Sequence, residues 1–304
     1  MKRILFFVHY NKYNKIAAHV LQTLQSIKHL YDRVVFVSNS PVSHEYKNKL
    51  DGLQDKIILR ENKGFDFGAW KDALLSENAQ ELFSYDNITL MNDTGFGPLF
   101  PIDGLYKAAE ESGVDFWGLT LQQEGLVDIP LLNLREKYPA HIQSYFMSFN
   151  KNVVSSDAFV NFWKNVQYET RVENVILKYE TQLTHILADA GFKYVAMFNS
   201  VSMYETGITT LVKLGVPFIK VKEFKSCGNV RAVKKYTKYP VSLICDYFSQ
   251  AYPVFAAFFF RDKPYLLFAF KRISKFAYHK YVNRKGKLKI KILKIPVYSK
   301  NIKQ

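Results

Sequence analysis

Three short stretches of this chain bring together residues that can do chemistry. The first is Arg60-Glu61-Asn62-Lys63-Gly64-Phe65-Asp66-Phe67-Gly68-Ala69-Trp70-Lys71. Gly64 and Gly68 permit close backbone approach and unusual dihedrals, and a helix start beyond them offers free N–H groups to an anion. Asp66 can bind a sugar or ribose hydroxyl and Lys63 can face a phosphate, although the same spacing reads equally as a helix-entry loop with Asp66 as N-cap. The second is Leu90-Met91-Asn92-Asp93-Thr94-Gly95-Phe96-Gly97-Pro98. A carboxylate just past a buried run, followed by a turn, suits a divalent metal bridging to a diphosphate, or an Asx-turn that ends a strand. The third is Tyr179-Glu180-Thr181-Gln182-Leu183-Thr184, followed by Ala188-Asp189-Ala190-Gly191-Phe192. It reads as a helix with a glycine C-cap. Glu180 near its start is either a surface acid favoured by the dipole or a general base aimed at a cleft.

The elements that must position these residues are legible from hydrophobic spacing. Apolar runs at Ile4–Val8, Val34–Val37, Ile57–Leu59, Ile88–Met91 and Phe116–Leu119 read as buried strands, and Phe146–Phe149 and Tyr194–Phe198 are strand-like as well. Between them Ile16, Ala17, Val20, Leu21, Leu24 and Ile27 recur at helical spacing, as do Ala69, Trp70, Ala73 and Leu74. Strand and helix in alternation imply an α/β fold, a mostly parallel sheet with helices on both faces. Ligands of such sheets bind beyond the carboxyl ends of the strands. The residues there are His9-Tyr10-Asn11, Ser38-Asn39-Ser40, Arg60 to Gly68 and Asn92 to Pro98. Trp117 and Trp163 read as core aromatics.

The charge is unevenly spread. Of the net +15, residues 1–217 contribute −3, while residues 218–304 hold 21 Lys and Arg against Glu223, Asp246 and Asp262. The first part has the balance of an ordinary globular domain. The second is a basic, aromatic C-terminal extension suited to a polyanion or an anionic membrane surface. In residues 253–270 the apolar runs are interrupted by Arg261-Asp262-Lys263-Pro264, and each is too short to span a bilayer of about 30 Å. Peripheral attachment is therefore expected, with a solvated arm packed on the domain as the alternative. Cys227 and Cys245 lack metal-ligand spacing, and with the short N-terminal run they fit a reducing, cytoplasmic setting. A nucleic-acid reading would need aromatics beside a basic groove, and no other part of the sequence supports one.

Several blocks in order carry a family resemblance. Tyr10-Asn11, Glu61-Asn62-Lys63-Gly64, the acidic turn Asn92-Asp93-Thr94 with Gly97-Pro98-Leu99-Phe100-Pro101, and Asp115-Phe116-Trp117-Gly118 are among them. His141-Ile142-Gln143-Ser144-Tyr145-Phe146, Phe159 with Phe162-Trp163, and Glu180 complete the set. Over roughly residues 1–240 the chain resembles the rhamnan-synthesis F family of bacterial polysaccharide rhamnosyltransferases, which are GT-A-type and similar to the family 2 glycosyltransferases. The resemblance implies a GT-A-like catalytic domain at 1–217. It implies inverting transfer from a nucleoside-diphosphate sugar, with dTDP-L-rhamnose favoured, to a polyprenyl-diphosphate-linked glycan at the inner membrane face.

The same resemblance implies that Tyr10, Asn11, Asn39, Arg60, Asn62, Lys63, Gly64, Asp66, Gly68 and Asn92 bind the donor, and that His141 and Gln143 line the acceptor pocket. Asp93 would hold Mg²⁺ or Mn²⁺ and Glu180 would be the base. The usual Asp-x-Asp is Asn92-Asp93-Thr94 here. That leaves one carboxylate for the metal, or passes the diphosphate charge to Lys63 or Arg60. A GT-A-like domain that binds glycan or partner enzymes without turnover is the alternative in function.

Overall fold

The computed structural model describes residues 1–129, 134–199, 203, 206–224, 227–251, 279–282, 287–292 and 295–301. Its centre is built from β1 (Arg3–His9), β2 (Arg33–Ser38), β3 (Lys56–Leu59) and β4 (Asn87–Asn92), all mutually parallel in the order β3-β2-β1-β4. A short β5 (Gly95–Phe96) follows, then β6 (Phe116–Gln122), the hairpin β7 (Gly125–Ile129) with β8 (Leu134–Tyr138), β9 (His141–Ile142), β10 (Phe146–Asn150) and β11 (Tyr194–Phe198). The sheet continues from β4 through β10 and β6 to β11, and β9 joins the end of β6. β10 runs antiparallel to both of its neighbours, whereas β11 is parallel to β6. The expected α/β architecture, a sheet with a parallel centre, is what forms, with the expected strands at their places.

Burial on both faces explains why these segments read as continuous apolar runs. Ile4 through Val8 and Val34 through Val37 are all buried. One face packs on the helix Phe65–Ser76, whose Phe67 stacks on Trp163 at 5.7 Å between centroids. Trp70 Nε1 of the same helix donates to the Phe6 carbonyl at 3.4 Å. Burying such a side chain contributes about 1.5–3 kcal/mol, so this helix and its entry loop are anchored close above β1. On the other face Phe7 stacks on Phe36 at 6.0 Å. Trp117 and Trp163 are core aromatics, as expected.

Two compact units divide the chain. The first comprises Met1–Glu223 and Ala232–Pro240; the second comprises Phe224–Arg231 and Val241–Gln304. The change in composition at residue 218 is not where the first unit ends. Phe218 and Ile219 are fully buried in it, and β12 (Ile219–Lys220) pairs antiparallel with β5. Among its described residues the second unit holds the helix Ser242–Ala251 and an antiparallel sheet of β13 (His279–Val282), β14 (Lys287–Ile292) and β15 (Ile295–Asn301). The aromatic segment 253–270 lies outside the described residues. Among the described residues no helix is long and apolar enough to cross a membrane.

Candidate functional site

The carboxyl ends of β1, β2 and β4 meet where the sheet topology requires. Beyond β1, Asn11 N donates to Ser40 Oγ at 2.9 Å and Ser40 Oγ donates back to the Asn11 carbonyl at 3.0 Å. This reciprocal pair locks the loop after β1 to the loop after β2. Asn39 N donates to the His9 carbonyl at 2.8 Å, and Asn39 itself is buried. Tyr10 stays 46% exposed at the rim, while its backbone N–H donates to Asp93 Oδ2 at 3.1 Å.

The loop after β3 is built around Arg60. Its Nε donates to Asp72 at 2.7 Å, Nη1 to Asn39 Oδ1 at 2.6 Å and Nη2 to the Lys63 carbonyl at 2.7 Å. A guanidinium with three of its five N–H groups on these partners holds this loop together. Lys63 and Asn62 are exposed at the rim, with Lys63 paired to Glu61 at 2.5 Å.

Gly64 adopts φ +73° as the residue before the helix, and Phe65 follows at +52°, a region that non-glycine residues rarely occupy. At Gly68 a Cβ would collide with the Lys63 carbonyl oxygen and lie 3.3 Å from the Tyr168 ring. Gly68→Ala is therefore expected to destabilise the protein by about 1–3 kcal/mol in urea unfolding, although Gly to Ala inside a helix ordinarily stabilises by about 1 kcal/mol. A neutral or stabilising result would show that the loop has room to give. Gly68 thus admits the chain's own carbonyl.

Gly64, and not Asp66, caps this helix. Asp66 instead turns toward the sheet, where its Oδ2 accepts from Asn92 Nδ2 at 2.8 Å. Asn92 makes the Asx-type contact that had been assigned to Asp93, since its Oδ1 accepts from Thr94 N at 3.2 Å. The Asp93 side chain is thereby left in the site and is 17% exposed.

Glu180 is not at a free helix start. The helix runs from Val172, passes through a π turn at Ile176–Glu180 and continues as Thr181–Asp189. π turns inside helices occur often at functional sites. Glu180 Oε1 accepts from Ser144 N at 2.9 Å and from Ser144 Oγ at 2.7 Å.

Lys220, from β12, completes the cluster. It is 9% exposed, and its Nζ lies 5.5 Å from the centroid of the Tyr145 ring.

The electrostatics divide these carboxyls into two kinds. Burial pushes Asp93 up to about 8, and Asp66 adds to the shift by repulsion. Burial likewise pushes Asp66 up to about 6, opposed by the Asn92 bond and reinforced by Glu180. Glu180 is also disfavoured as an anion by burial, but Lys220, the two Ser144 bonds and His141 together outweigh that, and its pKa lies below the usual glutamate range. Burial pulls the Lys220 ammonium below its ordinary value, against Glu180, Asp66 and Glu223. Groups pushed apart in this way mark acid and base roles.

Two histidines close the floor. His9 Nδ1 meets Ser38 Oγ at 3.0 Å and its Nε2 meets the Lys15 carbonyl at 3.2 Å; His19 Nε2 lies 3.5 Å from the Asp93 carbonyl. Burial lowers both from 6.5 to about 4. The unfolded chain therefore takes up these protons first, and the stability the histidines contribute is full above about pH 6.5 and is lost as pH falls toward 4. Asp66 and Asp93 act in the opposite sense over that window, so the test compares wild type with His9→Asn. Their difference in urea midpoint is expected to change between pH 7 and 4.5, with the wild type losing more, and parallel profiles would remove His9 from the balance.

Of the two residues expected at an acceptor pocket, His141 lies within electrostatic reach of Glu180 and its ring N bonds the Pro139 carbonyl at 2.8 Å. Gln143 is buried, and its Oε1 accepts from Thr120 Oγ1 at 2.7 Å. Its neighbour Ser144, in the turn that leads into β10, is the residue that bonds Glu180. Sequence reasoning gave no role to Ser144, His19 or Lys220, and placed His9 only among the residues beyond the first predicted strand. For Lys220 a signal existed: a lone cation inside the apolar run Val216-Pro217-Phe218-Ile219-Lys220-Val221.

The profile of one protein family, described as rhamnan synthesis protein F, matches residues 34–284. An uncharacterised protein of Sinorhizobium fredii, y4gN, is 29% identical over 177 residues, which cover 57% of this chain and 43% of that protein. The chain thus spans less than half the length of that relative. Among solved structures it is similar to a putative nucleotide-diphospho-sugar transferase from Desulfovibrio desulfuricans, at TM-score 0.39 and 16% identity over 77% of this chain and 97% of that one. It is also similar to core-mannan synthase A from Aspergillus fumigatus in a Mn/GDP form, at TM-score 0.35 and 9% identity over 62% and 71% of the two chains.

Proposed function

The chain belongs to the rhamnan synthesis protein F family, and from that premise we propose that it is an inverting glycosyltransferase using a nucleoside-diphosphate sugar. The donor class is a deoxyhexose diphosphate nucleotide, with dTDP-L-rhamnose the first choice, and the acceptor is a lipid-linked glycan of surface polysaccharide synthesis. The observation that carries this reading is the pairing of one ionised carboxylate, Glu180, with two carboxyls raised in pKa, Asp66 and Asp93, at the carboxyl edge of the sheet.

In the mechanism, Ser144 occupies Glu180 Oε1, and Oε2 takes the proton of the acceptor hydroxyl. The acceptor oxygen forms a bond to the anomeric carbon while the bond from that carbon to the diphosphate oxygen breaks on the opposite face. The bonding pair leaves with the nucleoside diphosphate. Asp66, fixed by Asn92, is placed to accept from a sugar hydroxyl, and Tyr10 and Asn11 border the nucleotide side.

A divalent cation suits Asp93, whose carboxyl is pushed up by burial and by repulsion from Asp66. Among the described residues no three His, Cys, Asp or Glu are arranged to hold a metal. Asp93 would hold the ion together with substrate phosphates and water. When bound, the ion neutralises the leaving diphosphate.

The test is thermal shift against a panel of nucleoside-diphosphate sugars with and without Mg²⁺ or Mn²⁺, followed by donor hydrolysis. A true donor at 100 times its Kd stabilises by about 2.7 kcal/mol. If no donor stabilises the protein and none is hydrolysed, the transferase reading fails and a glycan-binding or scaffold role replaces it.

The reading includes peripheral attachment at the inner membrane face through the Lys and Arg of residues 218–304 other than the buried Lys220. Each basic residue near an anionic surface contributes about 1 kcal/mol. Sedimentation with anionic vesicles is expected, with less on neutral ones, and reversal of charge at Lys285, Lys287, Lys289 and Lys291 should weaken it. Equal sedimentation with both kinds of vesicle would count against attachment by charge.

A further inference from the structure

Lys220 sits inside the acidic centre, yet the transfer step described above makes no use of it. Its backbone is held by the sheet: β12 pairs with β5 so that Lys220 lies opposite Gly95, and Val221 N donates to the Thr94 carbonyl at 2.8 Å. Its side chain is buried, with Nζ 5.5 Å from the Tyr145 ring centroid. Ser144, the residue before Tyr145, makes both hydrogen bonds to Glu180 Oε1. One dipeptide therefore fixes an oxygen of Glu180 and also backs the ammonium. A cation withdrawn from water is costly unless opposite charges surround it. Here those charges are Glu180, Asp66 and Glu223.

We propose that Lys220 is a positioning residue for transfer, which holds Glu180 as a carboxylate with one oxygen open to the acceptor hydroxyl. The proposal rests on the reading of Glu180 as base. The groups that act on Glu180 are Lys220 from β12, His141 from β9 and Ser144, which favour its charge against burial, while Glu180 in turn raises Asp66 of the helix Phe65–Ser76. Lys220 is the strongest of the favourable charges. Asp66 and Asp93, which share the same enclosure, move the other way. Without the ammonium, burial acts on Glu180 with only His141 and Ser144 against it.

Carbon-13 titration of protein labelled at the glutamate carboxyl tests this, with the Glu180 signal identified by its loss in Glu180→Gln. In wild type the Glu180 midpoint is expected below the ordinary value of about 4.3. In Lys220→Met it should rise by about one pH unit or more, and in Lys220→Arg it should stay low. The acid limb of kcat/KM should move upward with it in the Met variant and remain in place in the Arg variant. A folded Lys220→Met protein with an unmoved Glu180 midpoint would overturn the proposal. If that variant does not fold, a wild-type midpoint at or above the ordinary value overturns it. The titration needs no donor, so a failure of the transferase reading and a failure of this one are seen separately.

Discussion

Glu180→Gln is expected to lower sugar transfer by about 10²–10⁴-fold, the range a positioned general base contributes, while donor binding survives. The amide keeps an oxygen to accept from Ser144 N and Oγ, which meet Oε1 at 2.9 and 2.7 Å. The π turn and the packing around it therefore have no reason to change. What the substitution removes is the group that takes the proton. A base lost with its position retained lowers kcat and leaves the donor-induced thermal shift in place. The pair of measurements is therefore kcat with acceptor present and the shift with donor alone. Transfer within about tenfold of wild type would reduce Glu180 to a structural acid. Loss of the donor shift would move it from the acceptor side of the reaction to the nucleotide side.

Asp93→Asn carries the second large effect, and it acts on activity and stability in opposite directions. Turnover should fall by about 10²-fold or more, because the charge that meets the diphosphate with its cation is worth several kcal/mol. The ligand-free protein should become more stable. Asp93 is raised from 3.8 to about 8 by burial and by Asp66. The folded form therefore retains a proton that the unfolded chain releases, so stability is full below about pH 3.8 and declines as pH rises through 8. A neutral amide removes that decline and can still accept from Tyr10 N. The difference in melting temperature between variant and wild type, measured in chelator, should be small near pH 4 and grow to several degrees by pH 8.5. The conversion is about 2–4 °C per kcal/mol for a chain of this size. A difference that is independent of pH, or a variant that melts lower at pH 8.5, would show that the Asp93 carboxyl is not strained as an anion. Full activity in the variant would remove it from the reaction.

The strands that carry the site were legible because burial on both faces leaves an unbroken apolar signature. Ile4–Val8, Val34–Val37 and Ile88–Met91 lie in β1, β2 and β4. Phe146–Phe149 was legible as a strand, but its direction was not. A short apolar run reads the same whether it is parallel or antiparallel, and β10 is antiparallel because of how the chain returns to it. The glycines at 64 and 68 were recognised as places of close approach. Only the fold showed that the approaching group at Gly68 is the chain's own Lys63 carbonyl and that Arg60 holds that loop together.

By itself, then, the sequence determined the α/β class, the order of the strands along the chain and the loops that border the site. These follow from local periodicity and from turn residues, which act over a few positions. The tertiary structure decided which charged groups meet. Asp66, in the first turn of the helix Phe65–Ser76, is joined to Asn92 at the end of β4. Glu180 is drawn inward by Ser144 through a helix that begins well before it. Lys220, which belongs by composition to the basic tail, reaches the acidic centre only because β12 pairs with β5. Whether a carboxyl is held as an acid or an anion depends on burial and on neighbours distant in the chain, and residue spacing does not encode those neighbours.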